Sequence, residues 1–287
     1  MIPGSFDYHR PQSVSEAVGL LKDKGDEAFI VAGGHSLIPM MKLRMSTPEH
    51  LIDIQDIAEI KNISIFGNDV TIGAFVTQAE VISSEALHGI CPVLREASLQ
   101  IADPQIRNVG TLGGNVANGD PGNDMPAIMQ ALDATFVLAG EDGTREVKAR
   151  DFYEAAYFTA RAETEMLTLI KFTAPAAGHG SCYMKQKRKI GDYATAAAVV
   201  VLTMNGATVQ TAEIALTNVA DTPLYAEEAS RLLIGTSLDD ASIKAAVEAA
   251  KAITDPADDG RGPKDFRTHI AGVMVERAIR QAATTAS

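Results

Sequence analysis

The sequence predicts an α+β fold in which a two-part N-terminal region precedes an antiparallel sheet covered by helices. Apolar runs of strand length alternate with amphipathic helical segments over the first 178 residues. Residues 181–189, 196–204 and 208–216 then alternate or stay apolar at strand length, which indicates a three-stranded antiparallel sheet. Beyond residue 225 the apolar residues recur at helical spacing, which indicates a small helical bundle.

The N-terminal part is predicted to be a small α+β unit that ends near residue 55. Residues 6–8 have the composition of a short strand, and Ser13 with Glu16 forms a capping-box pattern that opens a helix through about residue 21. An apolar strand at 29–32 and another at 51–54 complete the unit. This unit is too small to stand alone, so we expect it to pack on the rest of the chain.

The middle part is predicted to contain two hairpins, two helices and a closing strand. Its predicted elements are strands at 63–66 and 70–73, helices at 78–82 and 92–100, strands at 135–138 and 145–148, and a strand at 165–172. A segment rich in Pro, Ala and Gly at 173–178 then predicts a linker. The expected domains are therefore 1–177, with subdomains 1–55 and 56–177, and 178–287. The last domain ends in predicted helices at 225–234, 242–253 and 266–283.

Composition excludes some function classes. The 37 acidic residues outnumber the 25 Lys and Arg residues, and a net charge of −12 argues against a nucleic-acid partner. Cys91 and Cys182 are far apart, so the sequence predicts buried thiols rather than a disulfide or a cysteine-ligated cluster. The six histidines lack ligand spacing, and we expect no metal site.

No apolar run is long enough for a bilayer span and the start lacks a signal pattern, so we expect a cytoplasmic location.

The first motif with chemical content is the apolar run at 29–32 that ends on Gly33-Gly34-His35-Ser36. Two consecutive glycines allow backbone N–H groups to converge on one point, which is what a phosphate needs. Ser36 adds a hydroxyl, and a short helix predicted at 37–43 adds a positive N-terminus. An ordinary turn is the alternative, and we expect the histidine to contribute its backbone N–H rather than act as a base.

A second Gly-Gly motif follows at residues 109–118, where Thr111 and Asn115 flank Gly113 and Gly114. One phosphate-binding turn is common, but two predict a pyrophosphate. Neither the G-x-G-x-x-G pattern after a strand nor the G-x-x-x-x-G-K-[ST] pattern occurs in the chain. The sequence therefore gives no support to a Rossmann or P-loop nucleotide site.

These motifs, together with the following Asp-Pro-Gly-Asn-Asp-Met-Pro segment at 120–126, resemble the FAD-binding subunits of molybdenum hydroxylases. Within that family the chain is most similar to the medium subunits of aerobic carbon monoxide dehydrogenases, and more distantly to the flavin domain of xanthine dehydrogenases. The resemblance covers essentially the whole chain. It implies a non-Rossmann, PCMH-type FAD-binding domain in two parts, with the FAD between them, and a C-terminal flavoprotein domain.

The resemblance also implies which positions bind FAD. They are Ala32, Gly33, Gly34, His35, Ser36, Leu37, Ile101, Ala102, Thr111, Gly114, Asn115, Asp124, Leu167, Lys185, Asp192 and Tyr193. Asp124 is implied to face the ribityl or ribose hydroxyls, Lys185 to lie near the flavin, and Tyr193 to stack on one face of the ring. The alternatives are an ordinary turn aspartate, a solvated strand face and an ordinary loop tyrosine, while the apolar positions would also suit a plain core.

The implied function is electron transfer without a catalytic side chain. The family places such a chain beside an iron–sulfur subunit with two [2Fe–2S] clusters and a molybdenum-cofactor subunit, as a dimer of heterotrimers that oxidises carbon monoxide with water. Electrons would leave to an external quinone or cytochrome, at the inner face of the membrane if partners bring the complex there. Nothing in the sequence indicates the nicotinamide pocket of xanthine dehydrogenases. The alternatives are a purine or aromatic substrate, a self-contained flavin reductase, and a non-redox nucleotide-diphosphate-binding protein.

Overall fold

The computed structural model describes residues 2–287. The N-terminal unit consists of β1 (Asp7–His9), α1 (Val14–Lys24), β2 (Ala28–Val31), α2 (Leu37–Lys42) and β3 (His50–Asp53). Its three strands form a parallel sheet in the order β1-β3-β2. The predicted strands and helices of this unit are confirmed, each within a few residues of its expected ends.

Helix α1 begins at the predicted cap and packs the unit onto its neighbour. The Ser13 side chain accepts a hydrogen bond from the backbone N–H of Glu16 at 3.2 Å. The apolar face of α1 joins a buried cluster that also contains Ala139 and Met166 of the middle unit. The N-terminal unit therefore shares its core with the middle unit, as its small size led us to expect.

The middle unit is built on an antiparallel sheet. It contains β4 (Ile63–Phe66), β5 (Asp69–Gly73), α3 (Gln78–Ser83), α4 (Glu85–Ile90), α5 (Pro92–Gln100), α6 (Pro104–Val109), α7 (Leu112–Ala117), α8 (Met125–Ala131), β6 (Thr135–Gly140), β7 (Gly143–Lys148), β8 (Tyr153–Ala155), β9 (Phe158–Thr159) and β10 (Met166–Thr173). The sheet order is β4-β5-β10-β6-β7, and β8 pairs with β9. Both predicted hairpins are confirmed, whereas four short helices and the β8–β9 hairpin were not predicted.

The C-terminal unit is a sheet covered by helices. It contains β11 (Gly180–Gln186), β12 (Ala196–Asn205), β13 (Thr208–Thr217), β14 (Leu224–Tyr225), α9 (Glu227–Leu233), α10 (Asp240–Ala252) and α11 (Lys264–Thr285). The sheet is antiparallel in the order β11-β12-β13-β14, so it has one strand more than predicted. The extra strand is two residues long, and the sequence analysis assigned Tyr225 to the following helix.

The helices of this unit pack on the sheet, because their apolar faces share one buried cluster with the strands. The predicted combination of an antiparallel sheet with helices is therefore confirmed. Cys91 and Cys182 are both buried and free, as expected. None of the helices within residues 2–287 has both the length and the apolar character that a membrane span requires.

Candidate functional site

A cavity of about 670 Å³ lies where the three units meet. All sixteen positions that the sequence analysis assigned to the flavin line this cavity. They come from the loop after β2 and the start of α2, the α5–α6 connection, α7 with its N-terminal cap, the α7–α8 connection, strands β10 and β11, and the loop between β11 and β12. Tyr157 and Arg161 also line it, and the sequence analysis missed them.

The first glycine motif has the geometry expected of an anion-binding turn. Strand β2 ends at Val31, and the backbone N–H groups of residues 33–36 donate no hydrogen bond within the described part of the chain. Gly34 has a φ of 71°, a conformation that suits glycine, and its carbonyl accepts a hydrogen bond from Ile38 N–H at 2.9 Å. The Ser36 side chain caps no helix N–H. This turn therefore presents four consecutive unused amides and a hydroxyl to one side.

The second glycine motif is not a turn, which corrects the sequence-based expectation. Gly113 and Gly114 lie in the first turn of α7, where their N–H groups donate to Ala74 O at 2.9 Å and to Thr111 Oγ1 at 2.9 Å. The two amides are therefore already used. The Thr111 Oγ1 and Asn115 Oδ1 atoms also accept hydrogen bonds, so these side chains keep only their O–H and N–H groups to donate to a ligand. The glycine at 113 serves close packing instead, because a Cβ there would lie 2.5 Å from Ala74 Cβ.

The two motifs contact each other and form the floor of the cavity. A Cβ at Gly33 would lie 2.8 Å from Gly110 Cα and closer still to the carbonyl of Val109. A Cβ at Gly114 would lie 3.8 Å from Ala32 Cβ. Glycine thus allows the N-terminal and middle units to meet backbone to backbone. This close contact, with four free amides in the cavity lining, fits the pyrophosphate of a dinucleotide.

One wall of the cavity carries a buried ion pair. Lys185 Nζ lies 2.8 Å from Asp124 Oδ2, and their side chains are 1% and 6% exposed. The buried hydroxyl of Tyr183 donates to the other carboxylate oxygen, and burial, followed by the Asp124 charge, raises the pKa of Tyr183. Asp124 directly precedes α8 but does not cap it; Asn115 Oδ1 instead accepts from Met125 N–H at 3.1 Å. The carboxylate is therefore free to link the middle unit to β11.

The sequence analysis missed Tyr183, although a signal for it was present. Side chains two residues apart lie on the same face of a strand, so Tyr183 and Lys185 share one face of β11. Any partner of the lysine was therefore a candidate partner of the tyrosine.

The loop between β11 and β12 brings Tyr193 to the mouth of the cavity. Its ring packs directly on Gly122, where a Cβ would lie 2.6 Å from the ring, and the Arg261 guanidinium lies 5.8 Å from the ring centroid. Asp192 Oδ1 accepts a hydrogen bond from the Tyr193 N–H at 2.9 Å. Burial and then the Asp120 charge raise the pKa of Tyr193, so its phenol is neutral at neutral pH.

The remaining predicted positions form an apolar wall. Ile101 and Leu167 are buried, and Ala102 has a φ of 41°. Gly191 approaches this wall closely, because a Cβ there would lie 2.8 Å from Ala102 O. The apolar wall therefore contacts the Tyr193 loop beside the cavity. A planar ring could enter the cavity between this wall and Tyr193.

This combination defines a protein that holds a dinucleotide cofactor by means other than a Rossmann fold. The family described as "FAD binding domain in molybdopterin dehydrogenase" matches residues 4–175, and the family described as "CO dehydrogenase flavoprotein C-terminal domain" matches residues 181–282. The chain belongs to this family of molybdopterin dehydrogenase flavoproteins, which are oxidoreductase components with FAD as cofactor.

Individual relatives agree with this assignment along the whole chain. The chain is 58% identical to the carbon monoxide dehydrogenase medium chain of Afipia carboxidovorans over 282 residues, 98% of each chain. It is 48% identical to the medium chain of the same name from Hydrogenophaga pseudoflava over 282 residues, again 98% of each chain. The solved structure of a cyanide-inactivated Cu,Mo-CO dehydrogenase contains a chain that matches with a TM-score of 0.99 at 58% identity, covering 100% of both chains. The two medium chains are named as components of larger enzymes.

Proposed function

We propose that this chain is the FAD-carrying electron-transfer subunit of a molybdenum hydroxylase that oxidises carbon monoxide with water to carbon dioxide. The observation that carries the proposal is the row of unused amides at residues 33–36 in the lining of the cavity. The similarity to two carbon monoxide dehydrogenase medium chains supports the choice of substrate.

The residues of the cavity suit the parts of FAD. The amides of residues 33–36 would hold the pyrophosphate, with the hydroxyls of Ser36 and Thr111 as further donors. The Asp124 carboxylate would accept from a sugar or ribityl hydroxyl, and Lys185 would place its positive charge beside the flavin. Tyr193 would cover the ring and exclude water from it. Bound FAD accepts electrons from one partner and passes them to another, so no side chain needs to act as a general acid or base.

The electrons would come from partner subunits. The described residues contain no group of three or more His, Cys, Asp or Glu side chains that could hold a metal ion. We therefore assign the molybdenum cofactor and the two [2Fe–2S] clusters to two other subunits, in a dimer of heterotrimers. The final acceptor is an external quinone or cytochrome, and the complex is cytoplasmic, at the inner face of the membrane where partners place it.

Three units follow from the same proposal. The FAD-binding domain spans residues 1–177, with subdomains 1–55 and 56–177, and the C-terminal domain spans 178–287. The segment between β10 and β11, which contains no helix or strand, supports this boundary.

The experiment purifies the native complex under mild conditions, determines its metal content, and follows its reduction by carbon monoxide in the visible spectrum. We expect the flavin and iron–sulfur bands to bleach on addition of carbon monoxide, and the isolated chain to show no turnover. Activity of the isolated chain with carbon monoxide or NADH would contradict the subunit assignment. Reduction by a purine or an aromatic heterocycle but not by carbon monoxide would contradict the substrate.

A further inference from the structure

Arg267 in α11 is a buried cation outside the cavity lining. Its side chain is only 4% exposed. Nε donates to Thr195 O at 3.2 Å, Nη1 donates to Ala257 O at 2.9 Å, and Nη2 donates to Asn218 O. The Asp259 carboxylate, 3.2 Å away, balances the charge. A buried guanidinium is stable only with such a set of partners, and most of the hydrogen bonds that Arg267 donates go to backbone carbonyls.

The acceptors belong to the segments that carry and cover Tyr193. Thr195 ends the loop that begins after β11, which we call the tyrosine loop (residues 187–195). Ala257 and Asp259 lie in the connection between α10 and α11, which we call the covering loop (residues 255–262). Asn218, with a φ of 59°, donates from Nδ2 to Ala194 O at 2.5 Å. Arg267 therefore fastens the base of the tyrosine loop to the covering loop.

The two loops also meet at their outer ends. Arg188 donates from Nε to Asp192 Oδ2 at 3.0 Å and from Nη1 to Gly260 O at 3.2 Å. Arg261 pairs with Asp259 at 3.0 Å while its guanidinium faces the Tyr193 ring. Asp259 pairs with both Arg261 and Arg267, but Arg267 is buried and Arg188 is 55% exposed, so the contacts of Arg188 and Arg267 can be removed separately.

We propose that Arg267 is a positioning residue that keeps the tyrosine loop closed over the cavity by clamping it to the covering loop. This inference rests on the proposed function, since it takes the cavity to hold FAD. Removing the guanidinium leaves three carbonyls without their donor, which favours an open loop with those carbonyls hydrated. Lysine cannot substitute, because one ammonium nitrogen cannot reach acceptors arranged around a planar fork.

The test compares Arg267→Gln and Arg267→Lys with the control Arg280→Gln in the purified FAD-loaded complex. Arg280 lies in the same helix, but its guanidinium pairs with Asp240 and Glu276 on the surface. The measurements are the rate of FAD release, which reports how often the loop opens, and the thermal unfolding midpoint. We expect the fraction of molecules with an open loop to rise about tenfold or more in both Arg267 variants, as for loss of a hydrogen bond to a charged group. The control should behave as the unaltered chain.

A double-mutant cycle separates positioning from general destabilisation. In a Tyr193→Ala background, Arg267→Gln should add nothing to the rate of FAD release, because the group it positions is gone. If Arg267→Gln does not fold, the variant Arg188→Gln is used instead, since the Arg188 side chain is 55% exposed and its removal loosens only the outer contacts. Arg188→Gln should then raise the rate of FAD release.

The proposal is overturned if folded Arg267→Gln releases FAD no faster than Arg280→Gln, or if its effect adds fully to that of Tyr193→Ala. If Arg267→Gln is unfolded, an unchanged rate of FAD release in Arg188→Gln overturns the proposal. Failure of the proposed function looks different, because then the unaltered complex holds no FAD.

Discussion

Replacing Lys185 by methionine tests whether the buried ion pair of the cavity wall has the large effect on the free energy of unfolding that its burial requires. The Lys185 ammonium and the Asp124 carboxylate are 2.8 Å apart and almost fully removed from solvent. Removing one partner of a buried pair costs about 3–5 kcal/mol, because the other charge is left uncompensated. The Tyr183 hydroxyl still donates to Asp124, so we expect the lower end, about 3 kcal/mol, for Lys185→Met.

The assay is urea unfolding of the FAD-free chain at neutral pH. Lys187→Met is the matched control two residues further along the chain, just beyond β11, because that ammonium makes only a 3.4 Å hydrogen bond to Gln100 Oε1. The control should lose less than about 1 kcal/mol. Combining Lys185→Met with Asp124→Asn should recover part of the loss, since no buried carboxylate then lacks its cation. A cost below about 1 kcal/mol for Lys185→Met, the value of an exposed pair, would refute the reasoning.

Three further predictions concern the glycine motifs and the acid stability. Gly34→Ala should weaken FAD binding and cost about 1–2 kcal/mol in urea unfolding, because position 34 has a φ of 71°. Thr111→Val should cost about 1–2 kcal/mol by the same assay, since the Gly114 N–H loses its acceptor, whereas serine should retain most of the stability. The hydrogen bond from Arg145 lowers the pKa of Glu165, so this pair stabilises the fold above the unfolded carboxyl pKa of about 4.3 and ceases to do so as the pH falls through the lower folded value. Arg145→Gln should therefore reduce the thermal midpoint at neutral pH and have little effect at acid pH where Glu165 is protonated; an equal effect at both would contradict the assignment.

The two glycine motifs show what sequence reasoning can and cannot reach. The turn at Gly33-Gly34 follows directly from a strand that ends on two glycines, and both signals are local. Gly113-Gly114 looks the same in sequence, yet it lies inside a helix. The difference comes from the Thr111 cap and from contact with Ala74, and the second of these belongs to another part of the chain. A pattern of adjacent residues does not contain that information.

Buried polar groups outside recognisable motifs were the least predictable features. The family resemblance assigned Asp124 and Lys185 to the cavity, but their mutual contact joins residues 61 positions apart. Arg267 reaches an acceptor 72 positions away, and nothing near it in the sequence distinguishes it from the other arginines of the chain. The partners of such groups are set by the tertiary structure, because each buried donor needs an acceptor nearby in space. Strands and long helices, by contrast, follow from local periodicity, and most of them were predicted.

The flavin content of the native complex tests the central claim most directly. The complex would be purified with its partner subunits, its absorption spectrum recorded, and the released cofactor identified by chromatography after heat denaturation. We predict close to one FAD per copy of this chain, lost in Gly34→Val, in which a β-branched residue would occupy a left-handed backbone position. A complex that carries no flavin, even after incubation with excess FAD, would contradict the account.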